Sequence, residues 1–544
     1  MTRRTTAHGD VIGFRANNGA HVWRGIPYGA STAGVNRWRA PQPPPTWHGV
    51  RETIEVAERC AQLTNEFDAD EGLAPGRVVG SEDCLTLDVY APPDASGQAL
   101  PVMVWIHGGG NVWGRSGAYD GSRLSVNEGV VIVAAQYRLG LLGWFAHKAL
   151  RETATKPEDT AASFATLDLI ASLKWVRDNI EAFGGDPGKV TVFGESAGGH
   201  NVVTLLAAPR AKGLFHRAII QSGSFDSTRL SEAEGEEGNR LNSARAIART
   251  LNATTADDLR AIPVDKFLLA CERRPGFVDV PRVIQDGIVL PAAQLRQAFA
   301  STDTFNTVPI ITGTNRDEMK LFYLRDKRLM RKLFWLFPVA RDQGFYDVFT
   351  HYITRLWRIR SVDEPALMMS RSGHRDVYAY RFDWDDGGRF LFMDFKKMLG
   401  AAHGFELPFL FNRFEHLGRA DRILFQSRTL QDRERLSRAI GHYWASFARD
   451  GRPTCPDEPD WPAYGSDATF LRLDTQNDGG IEVACGSDGI DALLADIRND
   501  GRLDDNQRSF LAEEMCKWMF ADSIQDKIRS GVTSALPYRS PLLN

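Results

Sequence analysis

Cysteine is scarce in this chain, with six in 544 residues, too few for a disulfide scaffold to stand in for a hydrophobic core. No two of them form a C-x-x-C pair and no H-E-x-x-H occurs, so the ligand spacings of a zinc enzyme are missing. A basic excess is missing as well: the formal net charge is −4, which argues against a nucleic-acid partner. The most apolar long stretch, 130–146, is interrupted by Gln136 and Arg138 and is too short to cross a bilayer, so no membrane partner is expected. Residues 1–14 hold two arginines with no apolar stretch behind them and do not read as a signal peptide, which predicts a cytoplasmic protein. There is no internal repeat and no clean Gly/Ser or Pro linker, so residues 1–544 read as one domain.

What is present is ordinary globular composition, 43% apolar and 25% charged, in a length that one large α/β unit with insertions can use. Short apolar runs bounded by Gly or Pro, at 101–106, 130–135 and 189–193, read as buried parallel strands. A further strand is expected at 214–221. Leu167, Ile170, Leu173, Trp175 and Val176 have helical spacing, and 197–208 reads as another helix. This alternation predicts an α/β fold with a mostly parallel central sheet covered by helices. Strands return at 308–312 and 377–384. Polar, helix-forming blocks precede each of them, at about 227–300 and 319–375, read as insertions that form a helical cap over the sheet.

Gly194-Glu-Ser-Ala-Gly198 fits G-x-S-x-G. The pattern is weak alone, but here a β-branched strand (Val190, Thr191, Val192) runs into it and a helix-forming stretch follows. A sharp strand-to-helix turn of this kind exposes its serine as a nucleophile, and only small residues two before and two after it avoid a clash. Ser196 is therefore the candidate nucleophile. The alternative, a glycine turn with an incidental serine, loses ground when His107-Gly-Gly-Gly110 is found after the strand ending at Ile106. Consecutive glycines let backbone amides approach a substrate oxyanion, to which Ala197 would add its N–H. A phosphate-binding loop is the competing reading of the glycines. It fails because no G-x-x-x-x-G-K-[ST] exists and Gly188-Lys189 is followed by valine.

A serine nucleophile needs a histidine to take its proton and a carboxylate to orient that histidine, in the chain order Ser, acid, His for α/β-hydrolases. His200, His216, His351, His374, His403, His416 and His442 all follow Ser196. Pattern does not choose among them, although His403 lies in the loop-like Gly400-Ala-Ala-His-Gly-Phe-Glu406. Asp317 and Glu318 both follow the strand ending at Thr312, where a functional carboxyl edge should lie.

The chain resembles the type-B carboxylesterases, the group that includes the cholinesterases. The matching segments are Arg24-Gly-Ile-Pro-Tyr28, Ser81-Glu-Asp-Cys-Leu85, the glycine loop, Gln136-Tyr-Arg-Leu-Gly140, Phe193-Gly-Glu-Ser-Ala-Gly-Gly199, Gln221-Ser-Gly223, Gly313-Thr-Asn-Arg-Asp-Glu318, Ala402-His-Gly-Phe-Glu-Leu-Pro-Phe409 and Tyr443-Trp-Ala-Ser-Phe-Ala448. The resemblance implies an α/β-hydrolase fold and a triad of Ser196, Glu318 and His403. It also implies an oxyanion hole of Gly109, Gly110 and Ala197. Asp317 becomes a structural neighbour, His107 a loop-stabilising residue, and Glu195 and Ser222 fall at motif positions beside the site. The expected reaction is hydrolysis of a small-molecule carboxylic ester through an acyl-enzyme, with no cofactor or metal. Amide or carbamate hydrolysis by the same machinery, or a non-catalytic binding protein of the same fold, are the rival readings.

The sequence departs from the family at two points. Asn111 follows the triple glycine where an aromatic is frequent, and Met319 follows Glu318 where glycine is common. Cys60 and Cys84 match a pair that closes a loop by a disulfide in secreted relatives; two buried thiols are the other reading. That loop has no Trp or Tyr, only Phe67, so the aromatic that helps hold a quaternary ammonium in cholinesterases is missing.

Overall fold

The central strands are apolar on both sides, and this makes them the middle layer of the molecule. In the computed structural model, residues 2–532 are described apart from 67, 69–71, 239, 272–282, 335–336, 416–420 and 520–521; Phe67 and His416 thus lie outside the described residues. The main sheet has thirteen strands: β1 (Thr2–Thr6), β2 (Gly9–Arg15), β3 (His21–Pro27), β4 (Val50–Glu52), β5 (Thr86–Ala91), β6 (Leu100–Ile106), β7 (Val131–Ala135), β8 (Gly185–Glu195), β9 (Arg217–Gln221), β10 (Ile310–Asn315), β11 (Val377–Phe382), β12 (Thr469–Leu473) and β13 (Glu482–Cys485). Their spatial order is β1-β2-β3-β5-β7-β6-β8-β9-β10-β11-β12-β13, with β4 beside β2. From β7 to β12 every neighbouring pair is parallel. β1, β2, β3 and β5 are antiparallel additions on one side, where β4 pairs in parallel with β2, and β13 is an antiparallel addition on the other.

Successive residues of a strand point to opposite faces, and here both faces are covered. On one face Val102, Val104, Val131, Val133, Val190, Val192, Ala218 and Ile220 pack with Leu167, Ile170, Leu173 and Val176 of α1 (Phe164–Asn179) and Val202, Val203 and Leu206 of α2 (Ala197–Ala207). On the other, Met103, Trp105, Ile132, Phe193 and Ile219 meet Leu436, Ile440, Trp444 and Phe447 of α4 (Leu430–Asp450), which follows α3 (Gln343–Arg358) in the chain. Two-sided burial is what removes the polar alternation from these strands.

The two insertion blocks are less helical than expected. Four short helices occupy 230–269, but Thr228–Arg229 pairs with Ile284–Gln285. In the second block, Met330–Leu333 and Phe337–Ala340 form an antiparallel hairpin before α3. Phe334, Phe337 and Val339 suit a pleated surface better than a helix, and Pro338 would cost a helix interior a hydrogen bond. C-terminal helices α5 (Ile490–Asn499), α6 (Asp505–Lys517) and α7 (Asp522–Val532) pack with α3 in a third apolar cluster. Cys60 and Cys84 are joined as a disulfide, with Cα atoms 4.9 Å apart and a sequence separation of 24. Closing a loop of that size removes unfolded-state entropy equivalent to about 3 kcal/mol.

Candidate active site

Strand register brings the candidate residues to one edge. Ile106 of β6 lies beside Gly194 of β8, Glu195 of β8 beside Gln221 of β9, and Gln221 beside Gly313 of β10. The glycine loop, Ser196, Ser222 and Glu318 therefore all emerge just beyond the carboxyl ends of adjacent parallel strands, the edge where open α/β sheets bind ligands.

Ser196 sits at φ 59° and ψ −122° and caps α2. Its N–H donates to the Gln221 carbonyl at 2.8 Å, and its carbonyl accepts from His200 N–H at 2.9 Å. The flanking glycines are sterically required. A Cβ on Gly194 would lie 2.6 Å from the Ile106 carbonyl oxygen, and one on Gly198 would overlap that oxygen outright.

The loop after β6 lies directly against this turn: a Cβ on Gly108 would be 3.2 Å from the Ser196 Cβ. Gly109 and Gly110 have φ of 103° and 61°, a region that L side chains avoid. Neither donates its N–H to an acceptor among the described residues. Ala197, at the first turn of α2, has an N–H with no intrahelical partner.

His107 is a buried brace. Its ring stacks on Tyr137 at 4.5 Å, its carbonyl accepts from the Tyr137 hydroxyl at 2.6 Å, and burial pushes its pKa down to about 4. Asn111 is also buried, accepting from Asn201 Nδ2 at 2.9 Å. The departure at position 111 thus places a polar peg beneath the loop, not a side chain on a pocket wall.

Glu318 and His403 are in direct contact. Glu318 is fully buried; its Oε2 lies 2.5 Å from His403 Nδ1, and its Oε1 accepts from the Asn315 N–H at 2.8 Å and from the Ser222 hydroxyl. Asp317 faces elsewhere, into an ionic group with Arg316 and Lys320 and onto the Ala401 N–H. Burial would raise the Asp317 pKa, but Lys320 and Arg316 hold it below the usual value. Met319, the other departure, is buried in the third apolar cluster.

The far nitrogen of His403, Nε2, lies 3.0 Å from Glu195 Oε1, while Ser196 Oγ makes no hydrogen bond among the described residues. Burial alone would lower the His403 pKa. The charges of Glu195 and Glu318 outweigh it and hold the imidazole well above its ordinary value.

Sequence reasoning missed three contributors. Glu406 is buried three residues beyond His403, accepting from Gln221 Nε2 at 3.0 Å and Asn315 Nδ2 at 2.6 Å. Burial, with Glu195 and Glu318 nearby, pushes its pKa up to about 8. It stands inside the 402–409 motif, so the signal was present. Phe322 lies 5.0 Å from the His403 ring, and Trp518 packs on Phe322 at 4.9 Å. Trp518 donates from Nε1 to the Tyr323 hydroxyl at 3.0 Å. No local pattern announces a contact across nearly two hundred residues.

The sequence profile of the Carboxylesterase family matches residues 2–333 and 337–485. The chain is 33% identical over 489 residues to the para-nitrobenzyl esterase of Bacillus subtilis (strain 168), covering 85% of this chain and 92% of that relative. It is 31% identical over 527 residues to carboxylesterase 1D of Rattus norvegicus, covering 86% and 88%. A solved PNB esterase superposes with a TM-score of 0.70 at 30% identity, over 89% of this chain and 97% of its own. A carboxylesterase of Geobacillus stearothermophilus gives 0.71 at 28% identity, over 91% and 99%.

Proposed function

Since the chain belongs to the carboxylesterase family and is a type-B serine carboxylesterase that hydrolyses carboxylic esters, we propose that Ser196 is its nucleophile, His403 its general base and acid, and Glu318 the carboxylate that orients the base. One observation carries this reading: Glu318 is buried, tied by three hydrogen-bonding partners, and pressed against His403 Nδ1. A carboxylate in that position fixes the tautomer whose Nε2 carries no proton and stabilises the imidazolium that forms when Oγ gives up its proton.

His403 Nε2 turns from Glu195 to Ser196 Oγ as the substrate enters, since catalytic hydrogen bonds often tighten only in the substrate complex. Oγ attacks the ester carbonyl, and the N–H groups of Gly109, Gly110 and Ala197 receive the oxyanion. The Gly109 and Gly110 N–H groups have no acceptor to give up among the described residues, which supports a role that needs little reorganisation as charge develops. The alcohol leaves with the proton from Nε2. Water then repeats the sequence on the acyl-enzyme, and the acid is released.

Burial beside Glu195 and Glu318 raises the Glu406 pKa, which favours its protonated form and limits the negative charge gathered near the base. The blocks at 227–300 and 319–375 serve as the cap, and the substrate is a small-molecule ester.

Ser196→Ala tests the assignment. Turnover of a soluble aryl ester should fall by roughly 10⁴–10⁶ with the thermal melt unchanged. A pure mutant that keeps a substantial fraction of wild-type turnover would contradict it.

A further inference from the structure

Two hairpins carry apolar side chains where hairpin tips ordinarily carry polar ones. One is Met330–Leu333 with Phe337–Ala340; the other is Arg389–Phe390 with Met393–Asp394. Phe334 at the first tip is 64% exposed, and Leu391 and Phe392 at the second are 68% and 58% exposed. Phe334 and Leu391 also have φ of 50° and 52°, where Gly, Asn or Asp would cost least. Folding gains nothing from a large apolar residue that is both exposed and in a left-handed turn. The tips meet in one patch: the Phe334 and Phe392 rings are 5.6 Å apart, and Phe337 is 6.2 Å from Phe390.

The surroundings are basic. Residues 325–341 and 389–397 hold nine Lys or Arg against two Asp, in a chain whose net charge is −4. Some of these cations are engaged: Arg328 pairs with Glu514, Arg389 with Asp394, and Lys396 with Asp385 beside Asp386 and Asp478. Lys327, Arg331, Lys332 and Lys397 are exposed and form no ion pair among the described residues.

We propose that the two tips form a docking surface for an anionic lipid bilayer. Aromatic and aliphatic tips would enter the headgroup layer, and the flanking lysines and arginines would meet the lipid phosphates. Charge selects this occupant over a second copy of the chain. A two-fold contact through the patch would press its basic rim against itself. Docking is peripheral, because no helix among the described residues is long and apolar enough to cross a membrane.

The patch is joined to the active site. Met330 of the first hairpin is buried in one apolar cluster with Met319 and Tyr323, and Met393 of the second packs against it. Phe322, in the short helix between Glu318 and the first hairpin, reaches His403. A docked enzyme would thus meet esters dissolved in the lipid layer.

The test is flotation of the full chain with vesicles of equal parts phosphatidylcholine and phosphatidylglycerol, against pure phosphatidylcholine vesicles. The wild type should float with the anionic vesicles and far less with the neutral ones. Leu391→Ser/Phe392→Ser and, separately, Arg331→Glu/Lys332→Glu should each weaken binding roughly tenfold or more. Hydrolysis of a water-soluble ester should be unchanged in both, which shows that they fold. Absence of anionic-vesicle binding, binding indifferent to both variants, or a concentration-dependent dimer that the apolar variant abolishes would each overturn the proposal.

Discussion

Asp317 and Glu318 are neighbours in the chain with opposite surroundings. Asp317 answers Arg316 and Lys320, whereas Glu318 is fully buried against His403. Glu318→Gln should therefore lower kcat by roughly 10³–10⁴, because the amide no longer stabilises the imidazolium or enforces its tautomer. Asp317→Asn should lose far less; steady-state kinetics on both, with melts to confirm folding, distinguish them. The reverse ranking would mean that the acid has been misassigned.

His403 acts as base only when neutral. The sequence alone places its midpoint within about one unit of the free value of ~6.5. Glu195 and Glu318 move it well above that, because each favours the imidazolium. Activity should accordingly rise with pH through a midpoint higher than expected. Glu195→Gln removes one of the two anions and should shift the midpoint of kcat/KM downward; an unmoved midpoint would remove Glu195 from the account. Ser196 was legible as a candidate from its own strand–turn–helix motif, whereas Glu318 and His403 were singled out from Asp317 and the other histidines only by the family resemblance. The elevated pKa was not legible, since it arises from carboxylates separated by over a hundred residues in sequence.

At the scale of elements, the parallel strands were readable because two-sided burial leaves continuous apolar runs such as Val131–Ala135. Strands of the antiparallel edge were not: β1 alternates in burial over only five residues, a signal too short to separate from loop. The Met330–Ala340 hairpin was hidden inside a block read by composition as helical. Helix α6 was equally unreadable as part of the site. It lies beyond residue 485, where the family match ends, yet Trp518 at its end packs on Phe322 beside the base. This predicts a selectivity role for the C-terminal helices. Trp518→Ala should reduce kcat/KM for esters with a bulky aryl acyl group roughly 3–10-fold, the value of one aromatic contact. The acetate of the same alcohol should change much less. A uniform loss across both substrates would assign Trp518 to stability alone.

For the whole molecule, the decisive property is convergence. The glycine loop, Ser196, Ser222 and Glu318 follow four adjacent parallel strands, β6, β8, β9 and β10, whose registers end together. His403 reaches the same edge from the segment beyond β11. Alternating strands and helices predicted such an edge, but only the strand order shows which loops share it. Function then depends on one serine among many becoming acylated. The direct measurement is rapid quenching of the enzyme during turnover of an activated aryl ester, followed by peptide mapping by mass spectrometry. The account predicts one acyl adduct, on the peptide containing Ser196, accumulating in Glu318→Gln if that variant slows deacylation and absent from Ser196→Ala. An adduct on any other residue, or one that persists in Ser196→Ala, would contradict it.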